Sequence, residues 1–225
     1  MTHDDEDEQP GSEACFAHLL VDGHVVDPQT WKDVSTFRKS ERQRLYAARQ
    51  AVSLDDRKAM SARISARLTD MLADVSDRTI AVYWPIRGEL NLHPWMVEAS
   101  ERGAQICLPV VVEKNQPVEF HRWTPNCAMA KGIWNIPVPA VPEPVVPDVV
   151  IVPLLGVDEQ GFRLGNGGGY YDRTLTRLAG DLLIIGVGQP FARMKTIFPM
   201  PWDIPMKTIV LGDGTSFEAK PGKAS

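Results

Sequence analysis

The chain has 225 residues, of which 44% are hydrophobic and 24% are charged, and its formal net charge is −5. This length suffices for one α/β domain with a substantial core, and the acidic balance argues against a nucleic-acid partner, which would favour a basic face. No apolar stretch reaches the roughly 18–20 residues of a membrane span, and the acidic N-terminus is unlike a signal peptide.

The three cysteines, Cys15, Cys107 and Cys127, are widely separated and form no Cys-x-x-Cys pair. Neither a zinc site nor a disulfide framework is therefore indicated, and the five histidines show no metal-ligand spacing. A reduced, cytoplasmic compartment fits this cysteine usage best.

Residues 1–30 are predicted to be an acidic, flexible extension, because the run Thr2–Glu8 cannot bury enough apolar surface to become ordered. A basic helix is expected over Trp31–Arg49. Ser53 is typical of the N-cap of a second helix that ends near Val75, since Asp55 and Asp56 would lie in its first turn. One domain is predicted over residues 31–215, followed by a flexible tail, 216–225.

Short β-rich runs then alternate with helical segments. Strands are predicted at Thr79–Trp84, Gln105–Val112, Val149–Leu155, Leu182–Val187 and Thr208–Leu211, with Val118–Trp123 as an antiparallel addition and Thr208–Leu211 closing the sheet. Helices are predicted at His93–Gly103 and from about Tyr171 to Leu178. This order favours an α/β fold, a mostly parallel sheet with helices on both faces.

The segment Arg163–Asp172 reads Arg-Leu-Gly-Asn-Gly-Gly-Gly-Tyr-Tyr-Asp and stands between a predicted strand and a predicted helix. Its glycines allow the backbone to approach an anion closely, and N–H groups at a helix start bind phosphate. A tight strand-to-helix turn is the alternative, although three consecutive glycines exceed what a turn needs. The loop lacks the Gly-Lys-Ser/Thr ending of a Walker A motif and the spacing of a dinucleotide fingerprint.

Five side chains are further candidates for ligand binding, each with a plainer alternative. Asp172 at the helix start is a cap or a Mg²⁺ ligand, and Asp203 is a second carboxylate for that metal or a loop aspartate. Glu89 follows a strand end, where ligands of open α/β sheets gather, or is a surface glutamate. Trp84 and Trp134 would stack on a flat ligand or pack into the core.

Together these motifs resemble the 5-formyltetrahydrofolate cyclo-ligase family over about Phe37 to Val210. The most specific match is Val152–Asp158 followed by Arg163–Asp172, with moderate support from Tyr83–Glu89 and Gly132–Pro137. The resemblance implies a three-layer α/β/α fold of the type shared with sugar-phosphate isomerases and CoA transferases. It also implies a monomer whose ligands are small molecules, a reduced folate and ATP, with no nucleic-acid or membrane partner.

The implied reaction is the cyclisation of 5-formyltetrahydrofolate to 5,10-methenyltetrahydrofolate, with Mg²⁺ and with ATP as co-substrate, releasing ADP and phosphate. The resemblance assigns catalysis to Arg163, Tyr170 and Asp172, metal binding to Asp172 and Asp203, and folate binding to Trp84, Glu89, Trp134 and Tyr170. It assigns ATP binding to Arg38, Arg42, Arg163, Leu164, Gly165, Asn166, Gly167, Gly168, Gly169, Tyr170 and Tyr171.

Three positions depart from the family pattern: Gly168 stands where many relatives have a basic residue, Arg38 replaces the usual lysine, and Lys207 replaces a usual aspartate. Lys207 would weaken Mg²⁺ binding or contact phosphate directly. It therefore leaves open a homologue that binds folate and nucleotide without turnover. A nucleotide-dependent kinase or transferase on a similar sheet is a further alternative, which the missing Walker A lysine disfavours.

Overall fold

The computed structural model describes residues 19–21, 23–178 and 181–220. Cys15, the acidic run and residues 221–225 of the predicted tail lie outside these ranges. Four helices are found within them: α1 (Pro28–Ala51), α2 (Leu54–Met71), α3 (His93–Glu101) and α4 (Tyr170–Arg177).

The main sheet has eight strands in this part of the chain, and three two-stranded ribbons accompany it. The strands are β1 (Leu19–Val21), β2 (His24–Val26), β3 (Thr79–Ala81), β4 (Gln105–Val110), β5 (Glu119–Arg122), β6 (Met129–Lys131), β7 (Pro137–Pro139), β8 (Pro144–Val145), β9 (Val149–Pro153), β10 (Gly156–Val157), β11 (Arg163–Leu164), β12 (Leu183–Gly188), β13 (Thr208–Leu211) and β14 (Ser216–Glu218).

The order of the main sheet is β14-β13-β12-β9-β3-β4-β5-β8. The five central strands are parallel, and antiparallel strands stand at both edges. The predicted α/β fold with a mostly parallel sheet is confirmed, as is the antiparallel position of β5. The prediction that Thr208–Leu211 closes the sheet is wrong, because Ser216–Glu218 pairs with it on the outside.

The two faces of the sheet are covered by different helices, as the period of two along each strand requires. Ile80 and Ile151 point toward α2 and α3, whereas Ala81 and Val150 point toward the side that carries α4. Helix α1 instead lies over the loops that follow the strands, where Leu45 packs on neighbours in β11 and the loop after β9.

Several predicted boundaries shift by a few residues. The N-cap role of Ser53 is confirmed, since its hydroxyl accepts a hydrogen bond from the Asp56 amide at 3.1 Å. The second helix ends at Met71 rather than near Val75. The strand β14 falls in the segment predicted as a tail, and α1 begins at Pro28 inside the predicted extension, because both find partners in the body.

Candidate active site

The glycine loop, residues 165–169, connects β11 to α4 near the carboxyl ends of the parallel strands. Gly167 has φ 96° and Gly169 has φ 65°, so the chain turns through conformations that L side chains rarely adopt. Helix α4 begins at Tyr170 and directs its N-terminal amides toward this loop. The local geometry is therefore that of an anion cradle.

Two arginine side chains bind carbonyl groups of the loop. Arg42 Nε donates to Gly165 O at 2.9 Å, and Arg173 Nη2 donates to Gly168 O. Burial lowers the pKa of Arg42, and the nearby charge of Arg38 lowers it further. Burial and the charge of Arg38 both destabilise the charged form of Arg42, and an anionic ligand nearby would offset both effects.

The two predicted metal ligands are ion-paired with predicted ATP-binding arginines. Asp172 Oδ2 lies 2.9 Å from Arg163 Nη2, and Asp172 Oδ1 accepts from the Ile204 amide at 3.1 Å. Asp203 forms a bidentate pair with Arg38 and also accepts from the Met200 amide at 2.7 Å. With Arg42 and Arg173, these groups carry two more positive than negative charges, which suits a polyphosphate.

The two carboxylates differ in their capacity for a cation. Asp172 accepts two hydrogen bonds, and its side chain is 18% exposed, so lone pairs remain for a further ligand. Burial raises its pKa, and Arg163 opposes that rise. Asp203 accepts three hydrogen bonds, and its side chain is only 6% exposed. Asp172 therefore has more unused acceptor capacity than Asp203, which is engaged by Arg38. Within the described ranges, no cluster of three potential ligands is found.

Substituting Asp203 by alanine is expected to lower the free energy of unfolding by about 3–5 kcal/mol, because Arg38 would stay buried without its partner. Urea unfolding of Asp203→Ala and of the double variant Arg38→Met/Asp203→Ala measures this. The double variant should regain a large part of the loss. A loss below about 1 kcal/mol in the single variant would mean that the pair contributes little.

Glu89 lies at the end of a groove of about 790 Å³ that runs between α2 and the start of α3. Its side chain is 5% exposed, and Oε2 accepts from the Ile86 amide at 3.0 Å. Burial raises the pKa of Glu89, while hydrogen bonds from Ile86 and Asn166 and the charge of Arg49 lower it. A carboxylate in this position can accept hydrogen bonds from a polar heterocycle.

The aromatic candidates lie at different places around this region. The Trp134 ring meets the Tyr170 ring edge-to-face at 5.5 Å, and Trp134 is 56% exposed with φ 58°. The Tyr170 hydroxyl accepts from the Asn115 amide at 3.0 Å. Trp84 packs against the edge of the core and the His93 ring at 5.9 Å. Trp134 and Tyr170 therefore lie together beside the glycine loop, whereas Trp84 packs with the core on the side of the sheet that carries α2 and α3.

The sequence interpretation missed Tyr46, Arg49 and Asp158. The Tyr46 hydroxyl donates to Asn166 Oδ1, and Arg49 lies 3.9 Å from Glu89. Asp158 accepts from three backbone amides, including that of Ile197 at 3.2 Å. A signal for the first two was present, because Arg38, Arg42, Tyr46 and Arg49 recur at helical spacing on one face of α1.

Glycine at position 167 is expected to be needed for its backbone conformation. Gly167→Ala places a side chain at φ 96° and should lower the free energy of unfolding by about 1–2 kcal/mol. Gly165→Ala is the matched control, since its φ is ordinary and a Cβ there meets open space. Thermal unfolding compares the two variants, and equal losses would contradict a specific requirement at Gly167.

Comparisons with known proteins agree with this architecture. The family model described as "5-formyltetrahydrofolate cyclo-ligase family" matches residues 34–212. The chain is 31% identical over 144 residues to a 5-formyltetrahydrofolate cyclo-ligase of Mycolicibacterium smegmatis, covering 60% of this chain and 74% of that protein. It is 28% identical over 169 residues to that of Escherichia coli, covering 72% and 93%.

Two solved structures share the fold. The chain superposes on the 5,10-methenyltetrahydrofolate synthetase of Aquifex aeolicus with a TM-score of 0.70 and 29% identity, covering 84% of this chain and 95% of the other. The 5,10-methenyltetrahydrofolate synthetase of Mycoplasma pneumoniae gives a TM-score of 0.64 at 22% identity, covering 76% and 96%. None of the described helices is long and apolar enough to cross a membrane.

Proposed function

Because the chain belongs to the 5-formyltetrahydrofolate cyclo-ligase family, we propose that it converts 5-formyltetrahydrofolate into 5,10-methenyltetrahydrofolate with Mg-ATP, releasing ADP and phosphate. The observation that supports this most directly is the link between two subsites. Asn166 belongs to the glycine loop, and its side chain lies close enough to Glu89 to lower the pKa of that carboxyl group. A phosphate cradle and a carboxylate for a heterocycle are thus neighbours, as phosphoryl transfer to a folate requires.

The chemistry needs positioning and charge neutralisation more than a protein nucleophile. The formyl oxygen attacks the γ-phosphorus and ADP leaves, which gives an N5-iminium phosphate. N10 then attacks the activated carbon and loses its proton, and inorganic phosphate departs as the ring closes.

Arg42, Arg163 and the loop amides would hold the triphosphate, with Arg38 ordering the adjoining segment through Asp203. Glu89 would accept hydrogen bonds from the pterin ring, and Trp134 and Tyr170 would cover the folate from the α4 side. Trp84 would border the same pocket. These assignments would place the reacting oxygen close to the γ-phosphorus, where fixed charges from the protein can stabilise the transition state.

Magnesium, when bound with ATP, supplies charge neutralisation on the phosphates. Of the two predicted ligands, we retain Asp172, because it keeps unused lone pairs and partial exposure. Asp203 is better assigned to ordering Arg38.

Lys207 was the feature that favoured a homologue without turnover. Its side chain is exposed, and its amide donates to Ile184 O at the amino end of β12. Lys207 stands three residues after Ile204, which contacts Asp172 and Arg163, but within the described ranges the Lys207 side chain itself makes no hydrogen bond or ion pair with the site. The contacts of Lys207 therefore give no support to an effect on phosphate or metal, so we favour a working enzyme. The monomeric state and the cytoplasmic location stay predictions.

Phosphorus NMR of the protein with 5-formyltetrahydrofolate and Mg-ATP distinguishes the alternatives. The proposal expects ADP and inorganic phosphate in equal amounts, and only when folate is present. A stable phosphorylated product would indicate a kinase instead. ADP release that does not require folate would indicate an ATPase. Binding of both ligands with no ADP would support a homologue without turnover.

A further inference from the structure

We propose that Arg49 is a positioning residue that holds the Glu89 carboxylate in the orientation in which it binds the folate ring. The inference rests on the proposed function in one respect, namely that Glu89 binds folate. Arg49 itself touches no predicted ligand, and it acts through Glu89. It lies on α1 one turn after Tyr46, on the face that also presents Arg38 and Arg42 to the site.

Arg49 is 1% exposed, yet its guanidinium is incompletely satisfied. Nη2 donates to Leu154 O, while Nε and Nη1 have no hydrogen-bond partner among the residues that the structure describes. Nη1 lies 3.9 Å from Glu89 Oε1. Burying a guanidinium with spare donors is costly, and an apolar side chain of similar size would fill the space without that cost. A role in stability alone therefore explains Arg49 poorly.

Glu89, Asn166, Tyr46 and Arg49 form a closed set of contacts. The Tyr46 hydroxyl donates to Asn166 Oδ1, which leaves the amide of Asn166 to face Glu89. The Arg49 guanidinium lies over the Tyr46 ring at 5.8 Å and next to Glu89. The carboxylate is thus held from α1 on one side and from the glycine loop on the other.

Among the charged groups around Glu89, Arg49 is the one that we expect to control the pKa of its carboxyl group. Burial raises the pKa of Glu89, and the charge of Arg49 opposes this more strongly than that of Arg87. The charged or titratable groups around Glu89 are Arg49 from α1, Arg87 from its own loop, the buried Tyr83 and Tyr171 hydroxyls, and Arg57 and Lys58 from α2, which line the same groove. Since a raised pKa favours the protonated acid, removing Arg49 should protonate Glu89 at higher pH.

Carbon-13 NMR of the Glu89 carboxyl group tests this without any ligand, with Glu89→Gln identifying the signal. The titration midpoint should move to higher pH in Arg49→Met and stay close to wild type in Arg49→Lys, which keeps the charge. Arg67→Met is the control, because Arg67 on α2 binds Ser216 of β14 and does not line the groove that contains Glu89. If Arg49→Met does not fold, Arg49→Gln replaces it, since it retains a donor near Leu154 O.

An unchanged midpoint of the Glu89 titration in Arg49→Met or Arg49→Gln would overturn the proposal. If these variants only lose thermal stability, the role of Arg49 is structural. The affinity for 5-formyltetrahydrofolate at neutral pH should fall roughly tenfold or more in Arg49→Met. As the pH is lowered, the affinity for 5-formyltetrahydrofolate should fall around the same pH as the midpoint of the Glu89 titration measured by NMR. If the midpoint moves but folate affinity does not, Glu89 is not the folate carboxylate. In that case the positioning role fails, even though ADP release with folate could still uphold the cyclo-ligase reaction.

Discussion

Replacing Asp172 by asparagine is expected to reduce turnover by roughly 100- to 1,000-fold while the chain remains folded. The amide still accepts a hydrogen bond from the Ile204 amide but no longer neutralises Arg163, whose side chain is 4% exposed. The loss of charge would misplace Arg163 and remove the carboxylate that we assign to the magnesium ion. Steady-state ADP release with 5-formyltetrahydrofolate measures the effect.

Asp55→Asn is the control for Asp172→Asn, because the Asp55 side chain is 93% exposed on α2. It should retain wild-type turnover. Circular dichroism and thermal unfolding of both variants separate a catalytic loss from misfolding. Near-normal turnover in Asp172→Asn would remove Asp172 from the catalytic site.

Replacing Glu89 by glutamine is expected to weaken folate binding by roughly 10- to 100-fold and to leave ATP affinity nearly unchanged. Glutamine offers one acceptor oxygen where the carboxylate offers two, and its NH₂ group would oppose donors on the pterin ring. Isothermal titration with each ligand separately measures the two affinities. Glu101→Gln, an exposed glutamate at the end of α3, is the control. Equal losses for folate and ATP would contradict the assignment of Glu89.

Local features of the sequence predicted the fold well. The alternation of β-rich runs with segments of helical spacing predicted the parallel sheet. Such a pattern is informative because the spacing of apolar side chains depends on the secondary structure in which they lie. The glycine loop was predictable for the same reason, since its backbone conformation depends on residues next to one another. The strand Ser216–Glu218 was missed, because this short segment is ordered by its pairing with β13, and its own sequence carries little strand signal.

The pairings within the site could not be predicted. Arg38 and Asp203 are 165 residues apart in the chain, and the sequence assigned one to ATP and the other to metal. Only the fold shows that they bind each other. Arg49 was likewise invisible as a partner of Glu89, because the contact joins α1 to a strand-end loop. Long-range contacts depend on topology, which residue patterns in one chain do not specify.

The central claim is that the glycine loop and Glu89 form one site for ATP-driven folate cyclisation. The near-ultraviolet absorbance of the methenyl product, followed with purified protein, 5-formyltetrahydrofolate and Mg-ATP, tests it most directly. Absorbance should rise only when all components are present, and it should be suppressed in both Asp172→Asn and Glu89→Gln at subsaturating folate. No rise with the wild-type protein, or an equal rise with both variants, would contradict the claim.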